Sequence, residues 1–120
     1  MAVLTRTRSE LVLRALSVLG KLPAGQAAAA EDVELVDGYL DGMLDRLALQ
    51  NVLYVVDPNE IPGAAYRDLA VLLAAEASTD FGLTVDELSS WTVTPADAED
   101  SLKRMVRSRP TYEQHPVDYY

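Results

Sequence analysis

The chain has 120 residues, of which 49% are apolar and 24% are charged, and this composition is typical of one globular domain. Its net charge of -9 is concentrated in residues 31–100, where 16 acidic residues are accompanied only by the basic residues Arg46 and Arg67, so binding to nucleic acid through its phosphates is disfavoured. The absence of cysteine excludes thiolate metal sites, a cysteine nucleophile and disulfides, and no apolar run is long enough to indicate a membrane anchor.

The first predicted helix begins after Thr7, because Thr7 and Glu10 have the spacing of a capping box. It runs through LVLRALSVL and ends near Gly20. Apolar residues lie on most sides of it, with Arg14 as the main polar interruption, so we expect it to contact more than one neighbour. The next stretch, KLPAGQAAAA, contains proline and glycine, and we interpret it as a linker whose last alanines can already belong to the next helix.

The second predicted helix extends from about residue 31 to 49. Its apolar residues recur at three- and four-residue steps: Val33, Val36, Leu40, Met43, Leu44 and Leu47. The run VLYVV at 52–56 then favours an extended piece or a loop. A third helix, which Pro62 can start, is apolar in almost every direction, so we place it at the centre of the bundle. The core is expected to contain Leu16, Leu40, Leu44, Leu69, Leu72, Leu73 and Leu102.

Two further patterns complete the helical part of the chain. Thr84 and Glu87 repeat the capping-box spacing before a short helical segment, and Trp91 is expected to anchor that segment by packing. Thr94 and Pro95 then begin a fifth helix, which has acidic residues in its first turn and basic residues in its last. The sequence therefore predicts an all-α fold, a small bundle of four to five helices.

The acidic residues of the second helix lie on one of its faces. Asp37, Asp41 and Asp45 are four residues apart, and Gly38 and Gly42 follow the first two. As a metal site this face lacks a histidine partner and the spacing of a calcium loop. A glycine inside a helix costs about 1 kcal/mol relative to alanine, so the two glycines indicate a surface that another chain or helix approaches closely. We predict a subunit interface or a channel lining at these five residues, with a plain solvated face as the alternative.

The end of the fifth helix carries a basic group: Lys103, Arg104, Arg107 and Arg109. Each of the first two stands four residues after an acid, and cations also favour the C-terminal end of a helix dipole, so local charge compensation is one interpretation. The other interpretation is contact with an acidic surface, including the second helix of another copy. We predict that Lys103, Arg104 and Arg107 belong to the subunit interface or the channel lining.

Residues 110–120 contain two prolines and three tyrosines and have no helical period. Because tyrosine is costly to leave in water and is enriched at interfaces, we interpret this segment as an extended arm that docks on a partner, separate from a helical domain at 1–109. A frayed C-terminus is the alternative. The only histidine, His115, lies in this segment and is interpreted as solvated.

No pattern of catalytic residues is recognisable in the sequence. The chain has no G-x-S-x-G nucleophile motif, no glycine-rich phosphate loop and no HExxH motif. We therefore predict that the protein is not an enzyme, with no catalytic, cofactor-binding or metal-binding residues.

Four segments together cover nearly the whole chain: TRSELVLRALSVLGKLPAGQ, EDVELVDGYLDGMLDRLALQNVLYV, DPNEIPGAAYRDLAVLLAAEASTDFG and RPTYEQHPVDYY. Their pattern resembles the head-to-tail adaptor proteins of tailed bacteriophages and related gene transfer particles. Within that group the resemblance is to the tail accessory family, or connectors, that stabilises packaged DNA. The family carries no active-site motif, so the resemblance assigns roles to segments.

The resemblance implies a structural protein of the virion neck or tail, assembled in the host cytoplasm. Subunits of this family form a ring of about twelve copies beneath the portal protein, extend the DNA channel and join the head to a downstream tail protein such as a nozzle, stopper or tail tube. DNA would pass through without specific binding, and no membrane would be involved. The resemblance implies a portal-binding arm with these residues: Pro110, Thr111, Tyr112, Val117, Asp118, Tyr119 and Tyr120.

The residues alone leave two other functions open. One is a small soluble helical regulator or protein-binding module without catalytic activity, which would be a monomer or a dimer. The other is a hydrolase with an acid pair on the second helix, whose turnover would be lost when one acid is neutralised. For a ring, the acidic second helix and the basic end of the fifth helix would provide the two different contact faces that each subunit needs.

Overall fold

The computed structural model describes residues 5–21 and 27–108, with side chains as far as residue 105. Within these ranges the chain forms five α-helices, one short 3-10 helix (Ser78–Phe81) that follows the third of them, and one pair of very short strands. In chain order the elements are β1 (Thr5–Arg6), α1 (Arg8–Val18), α2 (Ala30–Leu49), β2 (Ile61–Pro62), α3 (Gly63–Ala77), α4 (Val85–Ser89) and α5 (Pro95–Ser108). The predicted all-α class and small helical bundle are confirmed. None of the helices in these ranges has the length and apolar character needed to cross a membrane.

Both predicted capping boxes are present. The N–H of Glu10 donates to Thr7 Oγ1 at 3.1 Å, and the N–H of Thr7 donates back to Glu10 Oε1 at 2.9 Å. This backbone hydrogen bond lowers the pKa of Glu10. Thr84 and Glu87 make the same reciprocal bonds at the start of α4. At the other end of α1, Gly20 adopts a φ of +78°, a left-handed conformation that suits glycine, and the helix stops just before it.

Helix α3 lies at the centre of the bundle and packs against α1, α2 and α5. Its residues Leu69, Leu72 and Leu73 are buried, as predicted. Four of its alanines are also buried, and their small side chains allow the neighbouring helices to approach closely. The leucines that were expected around α3 are in the same core: Leu16, Leu40, Leu44 and Leu102.

The strand pair is a feature that the sequence pattern does not predict. In antiparallel register, Thr5 pairs with Pro62. Arg6 pairs with Ile61, which is fully buried, so the strand pair fixes the start of α3 beside the start of α1. Because Pro62 belongs to this pair in an extended conformation, α3 begins one residue later, at Gly63.

Residues 50–60 form an irregular loop, which confirms the predicted break after α2. Asn51 turns the chain with a φ of +58°, a conformation that asparagine adopts more readily than most residues. Val52 is buried in the core, whereas Tyr54 and Val56 are exposed. The loop therefore leaves two large apolar side chains on the surface beside α2.

Helix α5 begins as predicted. Thr94 Oγ1 accepts a hydrogen bond from the N–H of Asp97 at 3.3 Å, and Pro95 is the first helical residue. Trp91, which precedes the helix, is half-buried and packs against the core, in agreement with its predicted role as an anchor. The predicted arm at 110–120, and the domain boundary predicted before it, lie outside the described residues.

Candidate protein interface

Arg8, at the start of α1, lies across two acidic residues of α2. Its Nε donates to Asp37 Oδ1 at 2.6 Å, and its Nη1 donates to Asp41 Oδ1 at 2.8 Å. Its Nη2 also donates to the main-chain oxygen of Asp37 at 3.2 Å. The planar guanidinium therefore holds two carboxylates that are one helical turn apart, and it connects α1 to α2.

The Arg8 ion pairs favour the charged forms of the groups that make them. Hydrogen bonds to Asp41 and Asp37 raise the pKa of Arg8, and the hydrogen bond from Arg8 lowers the pKa of Asp41. A metal ion at this face would have to displace the guanidinium from both carboxylates. The acidic face of α2 was considered as a contact for basic residues of another copy. Two of its three aspartates, Asp37 and Asp41, are instead bound by an arginine of their own chain.

The third aspartate of this face, Asp45, is exposed to solvent, and so are Gly38 and Gly42. No cationic side chain in the described ranges forms an ion pair with Asp45. A methyl group placed on Gly38 or Gly42 would meet no atom within 4 Å. The close approach that the glycines predict is therefore not made by another helix of the described chain. We call Gly38, Asp41, Gly42 and Asp45 the acidic edge.

A groove of about 380 Å³ borders the acidic edge at its two aspartates. Asp41 and Asp45 line one wall, and Tyr54 and Val56 of the loop line the other. The exposed fraction is 72% for Tyr54 and 82% for Val56, and Leu49 at the end of α2 is 84% exposed. Large apolar side chains that remain this exposed beside polar groups are typical of protein-protein contact sites.

The predicted basic end of α5 is partly neutralised within the chain. Lys103 Nζ lies 3.2 Å from Glu99 Oε2, which confirms the predicted pair. Glu99 Oε1 also lies 3.8 Å from Arg46 Nη1, and Arg46 Nη2 lies 3.0 Å from Glu76 Oε1. The two pairs of Arg46 connect α2 to α3 and α5, whereas the pair of Lys103 with Glu99 lies within α5. Arg107 belongs to α5, but its side chain lies outside the described residues.

A second and larger groove, of about 950 Å³, lies between α1, α3, α5 and residues 90–93; we call it the arginine groove. Its charged residues are Arg14, Arg67, Arg104, Asp68 and Asp97. Its large apolar residues are Val18, Val71, Trp91, Val93 and Met105. In the described part of the chain, neither Arg14 nor Arg67 forms an ion pair. Arginine, tryptophan and methionine are enriched at protein interfaces, so this groove has the composition of a binding surface.

The structure therefore divides the predicted interface residues between two surfaces. The acidic edge lies on α2, whereas Arg104 lies in the arginine groove, and the two grooves share no residue. The sequence prediction missed Arg14, Arg67 and Trp91 as neighbours of Arg104. One signal was available, because Arg67 is one of only two basic residues in an otherwise acidic stretch of seventy residues, 31–100.

The described residues contain no group of three or more histidine, aspartate or glutamate side chains that could hold a metal ion. Comparison with protein-family models, with curated proteins and with solved structures finds no match to this chain. The acidic edge and the arginine groove are therefore the features from which a function can be inferred.

Proposed function

We propose that the protein is a structural adaptor of a virion neck, which assembles with other copies of itself into a ring beneath a portal protein and joins the head to the tail. The observation that carries the proposal is the open acidic edge on an otherwise regular helix, α2. Each of its glycines lowers helix stability by about 1 kcal/mol relative to alanine. No contact inside the described chain requires either glycine, so a contact with another chain is the reason we assign to them.

Two further properties support a ring. Neighbouring subunits of a ring meet through two different faces, one from each subunit. The acidic edge with its exposed tyrosine and valine differs in charge from the arginine groove, and the two surfaces share no residue. The acidic surplus in residues 31–100 also suits a channel through which DNA passes without binding.

The resemblance to head-to-tail adaptors adds the platform for assembly, which is the portal, and a role for residues 110–120. Pro110 and Pro116 disfavour a helix in this segment. Val117 and Tyr119 alternate, which suits an extended strand added to a sheet of the portal, with main-chain hydrogen bonds for affinity and side-chain pockets for specificity. The proposal therefore assigns portal binding to the arm and subunit contacts to the helical part.

Cosedimentation of the purified full chain with the portal protein of the same particle tests the proposal. We expect several copies of the chain to sediment with each portal, and none to sediment with an unrelated ring protein of similar size. A chain that stays a monomer or a dimer with the portal present would contradict the proposal. That result would favour a small helical regulator or protein-binding module that uses the same exposed surfaces.

A further inference from the structure

We infer that the arginine groove is the site in which a second copy of this chain inserts its acidic edge. The inference rests on the proposed function, since it names the contact between neighbouring subunits of the ring. The charge, the apolar composition and the shape of the two surfaces each support this pairing.

The two surfaces are complementary in charge. Within the described residues, Arg14 and Arg67 have no ion-pair partner: the acids Asp68 and Asp97 line the same groove but form no ion pair with either of them. On the acidic edge, Asp45 has no cationic partner in the described chain, and Asp41 shares the single guanidinium of Arg8 with Asp37. Placing the edge in the groove gives Arg14 and Arg67 carboxylates to bind.

The two surfaces also match in apolar character. The arginine groove contains Trp91 and Val71, and Trp91 is half-buried against the core, so its position is fixed before binding. The wall beside the acidic edge offers Tyr54 and Val56, which are mostly exposed in the free subunit. Tryptophan, tyrosine and arginine are the residues that most often dominate binding energy, so the pairing places such residues on both sides of one contact.

The shape of the acidic edge fits a groove. Gly38 and Gly42 have no side chains, and nothing in the described chain lies within 4 Å of where a side-chain carbon would stand. The backbone of α2 can therefore approach the floor of the 950 Å³ groove, while Asp41 and Asp45 reach its arginines. Alanine would preserve the helix, so glycine is explained by this close approach.

Like surfaces of two copies repel each other, because an acidic edge facing another acidic edge brings carboxylates together and two arginine grooves bring guanidinium groups together. The pairing is therefore head to tail, and it leaves each bound subunit with one free edge or one free groove. Such a contact repeats from one subunit to the next, and under the proposed function the repeat closes into a ring.

Because the chain has no cysteine, disulfide cross-linking tests the pairing without background. Ala48→Cys places a thiol beside the acidic edge, one helical turn after Asp45, and keeps Gly42 unchanged, while Thr92→Cys places one at the exposed rim of the arginine groove. Under mild oxidation at high protein concentration, the full chain with both substitutions should form a ladder of dimers, trimers and larger species on a non-reducing gel. A matched variant with Ala48→Cys and Ala30→Cys, whose second thiol lies at the exposed start of α2, should form no ladder.

Charge reversal provides the second measurement. Arg67→Glu should weaken self-association, measured by sedimentation equilibrium, at least about tenfold, and adding Asp45→Arg to the same chain should restore it to within about threefold. No ladder from a doubly substituted chain that unfolds at the wild-type temperature, or no restoration by the second charge reversal, would overturn the pairing. Cosedimentation of the unmodified chain with the portal separates the two claims, since portal binding without a ladder refutes only the subunit contact.

Discussion

The ion pair between Arg8 and Asp41 makes the stability of the subunit depend on pH in the acid range. Arg8 lowers the pKa of Asp41, so the folded chain keeps this carboxylate ionised at pH values at which the unfolded chain has already bound a proton. The stabilisation is complete above the unfolded-state pKa of about 4, and it is lost as the pH falls through the lower pKa of the folded state. Because Asp41 is mostly exposed, we expect the pair to contribute less than about 1 kcal/mol.

Urea unfolding of Asp41→Asn at several pH values checks this expectation. The variant should be less stable than the wild type at pH 7, and the difference should shrink as the pH is lowered from about 5 to about 2. Asn59→Ala, at an exposed loop residue with no titratable side chain, is the control and should show no such trend. A difference for Asp41→Asn that stays constant over the whole range would contradict the role of the ion pair.

The glycines of the acidic edge have an effect on the free subunit that can be measured. Gly42→Ala should raise the free energy of unfolding by up to about 1 kcal/mol, because the position is helical and a methyl group there meets no atom within 4 Å. Gly20→Ala should lower it, since Gly20 has a φ of +78° that alanine adopts only with strain. Thermal unfolding of both variants checks that the first substitution stabilises the subunit and the second destabilises it. If Gly42→Ala destabilises the subunit, the acidic edge is covered within the chain.

Arg8 illustrates how much of the candidate site a sequence can predict at this scale. Arg8 stands one helical turn before Leu11 and Val12, which are buried, so it lies on the buried face of α1. That Arg8 faces another helix could therefore be predicted from the sequence. The two carboxylates that it meets could not be predicted, because they depend on the crossing of α1 and α2. The acidic stripe itself was predictable from its four-residue spacing.

At the scale of the elements, α3 determines the stability of the bundle. Leu73 is fully buried where α3 meets its neighbours, so Leu73→Ala should lower the free energy of unfolding by about 2 to 5 kcal/mol through lost burial and a residual cavity. The same substitution at Leu49, which is mostly exposed, should change it by less than about 0.5 kcal/mol. Chemical denaturation of both variants checks the contrast, and equal effects would remove α3 from the centre of the fold.

The helices were predictable because their signals are local. Capping boxes place donors and acceptors three residues apart, and apolar positions recur with the helical period, so the starts of α1, α4 and α5 follow from short stretches of sequence. The β1–β2 pair was not predictable, since two residues are too few to show an alternating pattern. Its formation depends on the packing of Ile61, which lies far along the chain from its partner.

At the scale of the whole molecule, the arm and the helical part are expected to be separable. The last member of the buried core in the described residues is Leu102, so truncation after Arg109 should leave the helical content and the unfolding temperature close to those of the full chain. Circular dichroism checks the fold, and cosedimentation checks portal binding, which we expect to be lost or greatly weakened. Full portal binding by the truncated chain would return residues 110–120 to the interpretation of a frayed C-terminus.

The class of the fold follows from the sequence, whereas the grooves do not. The arginine groove gathers Arg14 from α1, Arg67 from α3 and Trp91 from the segment before α5. These residues are separated by more than twenty positions, and no local period relates them. Packing α1 and α5 on α3 brings them together, so this surface could be recognised only from the tertiary structure.

The central claim is that copies of this chain assemble on a portal through the acidic edge. Native mass spectrometry of the chain mixed with its portal protein tests it most directly, with Gly42→Gln as the variant that fills the edge and Ala30→Gln, at an exposed position of the same helix, as its control. We predict a complex of one portal with a complete set of chains, about twelve, for the wild type and for the control. For Gly42→Gln we predict free, folded subunits with at most a few bound to the portal. A complete ring formed by Gly42→Gln would contradict the role of the acidic edge, and the absence of any portal complex with the wild type would contradict the adaptor function.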